Sequence, residues 1–271
     1  MLEARTTALA ATLGLGAVLA TFVPSALAQA GAESELLTID HYVAVRSTVP
    51  SISGQTTEIY VRERARAATI LRGAPRSARV VLFVHGAGTP AEVAFDVPYA
   101  DYSWMAYLAD AGFDVFSMDM TGYGRSTRPG AMNEVCNLPA EQQTALGREA
   151  CKATLGEQLT TIASDWNDLD AVVDYVRTLR DVARVNLIAW SLGGPRTGGY
   201  TAQHADKVEK IVVLAPAYNR TLTAQPPMPN PAKGPAFNAQ SHVDFVANWD
   251  RQVGCENQYE QAASDARKRT R

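Results

Sequence analysis

The chain has 271 residues, 46% of them hydrophobic and 20% charged, with 19 Gly and 14 Pro. Such proportions belong to a folded globular chain and exclude a collagen-like, coiled-coil or disordered one. The 25 basic and 28 acidic side chains leave a formal charge of −3, which argues against a broad cationic surface for nucleic-acid phosphates. Four of the basic residues (Arg267, Lys268, Arg269, Arg271) crowd into the final stretch, so the end of the chain differs in character from the rest.

Residues 1–28 read as a secretory signal. Arg5 lies near the start, an apolar run extends from Ala8 to Val23, Pro24-Ser25 break it, and Ala26-Leu27-Ala28 offers small residues where a signal peptidase reads them. The same run is nearly long enough to serve as an uncleaved membrane anchor. Cleavage predicts an exported protein, periplasmic or secreted, with no stable membrane span left.

Leu36 to Val45 and Thr56 to Arg62 alternate and are β-branched, which predicts two strands joined at Ser53-Gly54. Val80 to Val84 is an unbroken apolar run, as in a strand covered on both faces. An amphipathic helix is expected over Tyr99 to Ala111, stopped by Gly112, and a strand over Phe113 to Met118. Helical spacing from Leu159 to Leu179 puts Leu169, Val172, Val173, Val176 and Leu179 on one face, with Asp165, Asp168 and Asp174 mostly elsewhere. Val185 to Trp190 predicts a strand, the residues after Ser191 a helix, and Ile211 to Ala215 a further strand. Strands alternating with helices imply an α/β fold with right-handed parallel crossovers. Beyond Ala217, Pro226, Pro227, Pro229, Pro231 and Pro235 exclude regular helix or central strand and leave a linker or the start of a lid. A short helix is expected over His242 to Trp249.

Export would place three cysteines in an oxidising compartment. Cys136 and Cys151 lie in the polar connection after Arg125, and a disulfide between them would contribute about 3 kcal/mol in the chain-entropy model. Two free surface thiols are the alternative. Cys255 is left without a partner.

The strongest chemical signal is Ala189-Trp190-Ser191-Leu192-Gly193 at a strand-to-helix junction. A nucleophile elbow lifts a serine hydroxyl above the sheet on a turn so tight that the residues two before and two after must be small. Ala189 and Gly193 meet that demand. The following helix directs its N–H groups to where an oxyanion would form, and Pro195 is tolerated in its first turn. His85-Gly86-Ala87-Gly88, after an earlier strand, is placed to supply a second donor from Ala87 or Gly88, with Leu192 supplying the first.

Together with Asp119-Met120-Thr121-Gly122-Tyr123-Gly124-Arg125-Ser126, these segments resemble, in family order, three motifs of the α/β-hydrolase superfamily. The resemblance covers about residues 36–217. It implies a mostly parallel sheet with helices on both faces and a Ser191 nucleophile acting on a carboxylic ester or related acyl bond of a small molecule. The turn that Asp119 opens would shape the floor near the site without being catalytic, and His85, Gly86, Ala189 and Gly193 would be structural residues beside it. No cofactor is implied, and no His/Asp/Glu or Cys/His group has metal-ligand spacing. Serine rather than aspartate at 191 argues against the dehalogenases and epoxide hydrolases of the superfamily.

The family's triad needs an acid and then a histidine after the serine. His41 and His85 precede Ser191, and His204 ends the elbow helix. His242 is therefore the only stand-in base. Pro216-Ala217-Tyr218-Asn219 carries no carboxylate, leaving Asp244, Asp250 and Glu256. The sequence predicts the front part of such a hydrolase (29–217), then a lid segment and basic tail (218–271), the rest of the fold missing after the sixth strand. A short natural variant, or a non-catalytic homologue without acid and histidine, is the other reading. Missing strands would leave residues 211–215 as an apolar edge prone to aggregation.

Overall fold

The computed structural model describes residues 35–71, 77–217, 231–256 and 258–266. The signal-like start (1–28), Pro226, Pro227, Pro229 and the basic tail (267–271) lie outside the described residues.

Strands form where β-branched and aromatic residues cluster. β1 (Leu36–Arg46) and β2 (Thr56–Arg66) make an antiparallel hairpin, in register from Leu36↔Arg66 to Arg46↔Thr56. β3 (Val80–Val84), β4 (Asp114–Met118), β5 (Val185–Trp190) and β6 (Val208–Leu214) complete a six-stranded sheet of order β1-β2-β4-β3-β5-β6. β4, β3, β5 and β6 run parallel, and β2 is antiparallel to β4. This is the expected mostly parallel α/β sheet.

Every residue of β3 and β4 is buried, because helices cover both faces. On one face the long helix Ile162–Arg180 packs Leu169, Val172, Val173 and Val176 against Val80, Leu82, Val84 and Phe116. On the other, helices Ala91–Phe95 and Trp104–Asp110 bring Phe95, Met105 and Ala109 against Val81, Phe83 and Val115. β6 is the outer edge of the described sheet, and its apolar residues Ile211 to Leu214 are exposed.

Side-chain caps set helix starts that apolar spacing alone misplaced. The helix expected from Tyr99 begins after Ser103, whose hydroxyl accepts the Ala106 N–H at 2.9 Å, and Ala100 upstream has φ 42. The long helix begins after Thr161, which forms a capping box with Ser164, rather than at Leu159. The acidic residues of that helix need a larger correction. Asp165 and Asp168 are buried, at 4% and 1% exposure, while Leu179 is 38% exposed. Positions 165, 168, 169, 172, 173 and 176 form one helical stripe, and both carboxylates have polar partners beneath it, described below.

Between β4 and the long helix, a disulfide joins Cys136 to Cys151. The buried Asn137 Oδ1 accepts N–H bonds from Thr154 and Leu155, each at 2.9 Å, and so fastens the same excursion. Residues 231–240 lie across it: the Gln158 and Leu159 amides donate to the Ala232 and Ala236 carbonyls, both at 2.8 Å. Cys255 is free and exposed.

Candidate active site

β5 delivers its chain into a reversal at Ser191, whose φ of 55 lies in the left-handed region that a side chain rarely adopts. Such strain, about 1–3 kcal/mol, persists only where the surroundings over-determine it. Here three backbone bonds do so. The Ser191 amide donates to the Leu214 carbonyl at 3.0 Å, and its carbonyl accepts from Gly194 and Ala217, both at 2.9 Å. Small residues let the turn close. Ala189 is buried between Val84 of β3 and Val213 of β6 in the ladder. A Cβ on Gly193 would collide with the Val84 carbonyl oxygen, and one on Gly194 would stand 2.6 Å from Pro216 Cβ. The elbow helix Gly193–Gln203 starts from Leu192.

The loop after β3 passes directly against the serine. A Cβ on Gly86 would lie 2.8 Å from Ser191 Cβ, so only glycine fits. Ser191 and Leu192 are half-buried, and Ala87 and Gly88 are exposed. Among the described residues the Ala87, Gly88 and Leu192 amides have no hydrogen-bond acceptor. Serine and amide donors thus share the C-terminal end of β3 and β5, where open α/β sheets bind ligands.

His85 is fully buried and structural. Its Nε2 accepts the Met120 N–H at 3.1 Å, so Nδ1 carries the proton and donates to the Gly86 carbonyl at 2.6 Å. Burial, helped by the Arg196 charge, pushes its pKa down to about 3. Asp119 is also buried, and its carboxylate accepts the Ala91 N–H at 2.8 Å and the Arg125 N–H at 3.0 Å. Burial raises its pKa, against those two donors. Gly124 (φ 47) is required beside it, because a Cβ there would run into the carboxylate.

Beneath the loop lies a buried ion pair that the sequence analysis did not single out. Arg196, in the elbow helix, is 1% exposed. Its Nε donates to Asp165 Oδ2 at 2.7 Å, its Nη1 donates to the His85 carbonyl at 2.9 Å and more weakly to that of Gly86 at 3.4 Å, and its guanidinium lies over the Tyr123 ring. Nearby, Asp168 accepts the Thr121 N–H at 2.9 Å. Burial raises both carboxyl pKa values, that of Asp168 to about 6. The available signals were the stripe shared by Asp165 and Asp168 and a cation in the turn straight after the elbow.

The other histidines are less central. His41, on β1, bonds Glu63 at 2.8 Å and the Tyr175 hydroxyl at 2.9 Å. His204 caps the elbow helix and stacks on Tyr200. His242 opens the helix His242–Asp250, but its side chain lies outside the described residues. Of the carboxylate candidates, Asp244 accepts the hydroxyl of Ser241, the N-cap of that helix, in a capping box, Asp250 accepts the Tyr259 hydroxyl, and Glu256 is exposed.

Two clefts flank the elbow. One of about 1240 Å³ is lined by Ala87, Gly88, Tyr123, Leu192, Arg196 and Asp244. The other, about 440 Å³, is lined by Trp104, Trp190, Leu214, Phe245 and Trp249, with the Trp190 and Trp249 rings stacked at 5.9 Å. Among the described residues no group of three or more His, Cys, Asp or Glu is placed to hold a metal, and no helix is long and apolar enough to cross a membrane.

A strand order of 1-2-4-3-5-6 with a strained serine between β5 and a helix defines a class. The family model described as alpha/beta hydrolase fold matches residues 79–269, and the chain belongs to that family. Among solved structures it is similar to potato (Solanum tuberosum) epoxide hydrolase I, at 17% identity and TM-score 0.40, over 65% of this chain and 39% of that one. It is also similar to a candidate lipase from Sulfolobus solfataricus (16%, TM-score 0.43, 70% and 49%) and an epoxide hydrolase from Vigna radiata (16%, TM-score 0.38, 64% and 38%). The chain thus spans two-fifths to one-half of the length of these structures. Comparison with curated proteins gives no match.

Proposed function

We propose that this chain is a serine hydrolase acting on a carboxylic ester or related acyl bond of a small molecule. The observation that carries this reading is Ser191 at φ 55, with the Gly86 loop against it and the Ala87 and Leu192 amides without acceptors among the described residues. Ser191 Oγ attacks the carbonyl carbon while a base takes its proton, and the oxyanion is held by the Leu192 N–H with that of Ala87 or Gly88. Collapse expels the alcohol, and water then releases the acid from the acyl-enzyme. His242 is the candidate base, and the orienting acid is unassigned. The reaction calls for no cofactor and no nucleic acid, and the 1–28 segment supports export to the periplasm or medium.

A second reading, a non-catalytic homologue, is favoured by one observation: the described His41, His85 and His204 rings all have partners other than Ser191. A fluorophosphonate probe with mass spectrometry separates the two. The expected result is a phosphonyl adduct on Ser191 that disappears in Ser191→Ala, and a folded wild-type chain that takes up no probe supports the second reading.

A further inference from the structure

A trans peptide unit aims its N–H and its C=O in opposite directions. Whatever grips the carbonyl of Gly86 therefore decides where the Ala87 N–H points. Two donors grip it from within the protein: the His85 Nδ1–H at 2.6 Å and, more weakly, Arg196 Nη1 at 3.4 Å. The same Arg196 nitrogen holds the preceding carbonyl, that of His85, at 2.9 Å. With both carbonyls drawn toward the buried guanidinium, the Ala87 N–H is turned the other way, to the exposed side of the loop that runs against Ser191.

Arg196 can hold this position because it is itself held. Asp165, at the first turn of the long helix, accepts from Nε at 2.7 Å, and Tyr123 lies under the guanidinium plane. The planar fork matters here, since its Nε engages the carboxylate while a separate nitrogen, Nη1, reaches two carbonyls, whereas a lysine would have to serve all three from a single nitrogen. Charge-assisted bonds to a peptide carbonyl also polarise that peptide and strengthen its N–H as a donor.

We infer that Arg196, anchored by Asp165, is a positioning residue that turns the Gly86–Ala87 peptide so that the Ala87 N–H serves the oxyanion formed at Ser191. The inference rests on the serine-hydrolase reading above and adds to it a device three elements wide, linking the β3 loop, the elbow helix and the long helix.

The test is the kinetics of fluorophosphonate labelling, whose phosphonyl oxygen occupies the oxyanion position. Arg196→Met alone would leave Asp165 charged and buried without a partner, so the informative variant is the double Arg196→Met/Asp165→Leu, which removes both charges and keeps apolar volume. Expected are a melting curve within a few degrees of wild type, an unchanged KI for the probe, and a maximal labelling rate lower by about tenfold to a hundredfold, the scale of an ångström-sized misplacement at a reacting centre. Arg196→Lys, which keeps the charge opposite Asp165, is expected to lose less than the double variant. A folded double variant, or a folded Arg196→Lys should the double variant not fold, that labels at the wild-type rate overturns the positioning role and leaves the nucleophile intact. A wild-type chain that never labels overturns the serine-hydrolase reading and the positioning role with it.

Discussion

β3 and the second half of β6 are short apolar runs of nearly the same composition, Val80-Val81-Leu82-Phe83-Val84 and Ile211-Val212-Val213-Leu214, and both strands pair in parallel with β5, which lies between them. β3 has β4 as its second neighbour and helices on both faces, and none of its residues is more than 3% exposed. These four apolar residues of β6 are 37–56% exposed, with no second strand beside them among the described residues. Apolar composition therefore creates a demand for burial, and lateral pairing plus covering layers decide whether the demand is met. The difference reaches the candidate site, because the serine turn is fastened to both strands. Gly193 and Gly86 press it against the β3 end, while the Leu214 carbonyl of β6 accepts the Ser191 amide.

The largest expected effect lies on the covered strand. Leu82 is fully buried between the two helical layers, so Leu82→Ala removes apolar contact and leaves a cavity, costing about 2–5 kcal/mol. Denaturant unfolding measures this through the midpoint at constant m-value. A loss no greater than that of truncating Val212 would break the comparison.

The covered half also buries carboxylates, which gives it a pH signature. Burial raises the Asp168 pKa from 3.8 to about 6, so the folded state holds this proton more tightly than the unfolded chain. The group's contribution to stability is fully present below about pH 4 and is lost as pH rises through about 6. Asp168→Asn keeps an acceptor for the Thr121 N–H and has no proton to lose. It is expected to be more stable than wild type by roughly 1–3 kcal/mol at pH 7.5, with the gap closing toward pH 4. Thermal melts of both proteins across that range check it, and a gap that is flat or widens toward acid contradicts the burial argument.

How much of this was legible in the sequence follows the same division. Strand positions were, because local apolar and β-branched runs mark a strand whatever covers it. Val185–Trp190 was placed to the residue, whereas β6 begins at Val208, earlier than its apolar stretch, because an edge strand tolerates Glu209 and Lys210. The elbow was readable because a steric rule fixes small residues two positions either side of the serine. Gly194 was not read the same way, since its need comes from Pro216, a residue brought near by the fold. The pairing of Arg196 with Asp165 was not readable, beyond the helical stripe and the cation after the elbow, for a related reason. A charged residue on a helix is ordinarily solvated, and only its distant partner makes burial tolerable. That Gln240 lines the same cleft as Gly88 is likewise set by how residues 231–240 lie across the disulfide-fastened excursion, not by a local pattern.

The smallest expected effect on stability is at the edge, and it sharpens the comparison most. Val212 pairs with Ile188 of β5 and is 56% exposed, so Val212→Lys is expected to change stability by no more than about 1 kcal/mol, mostly through lost β propensity. A lysine on an exposed edge opposes strand-to-strand association, so the same variant should show less concentration-dependent light scattering than wild type. Fluorophosphonate labelling should be unaffected, because the substituted side chain leaves the Leu214 carbonyl and its bond to the Ser191 amide in place. Should Val212→Lys instead destabilise as strongly as Leu82→Ala, the edge must be covered in solution, and the contrast between the two strands would be one of visibility rather than of energy.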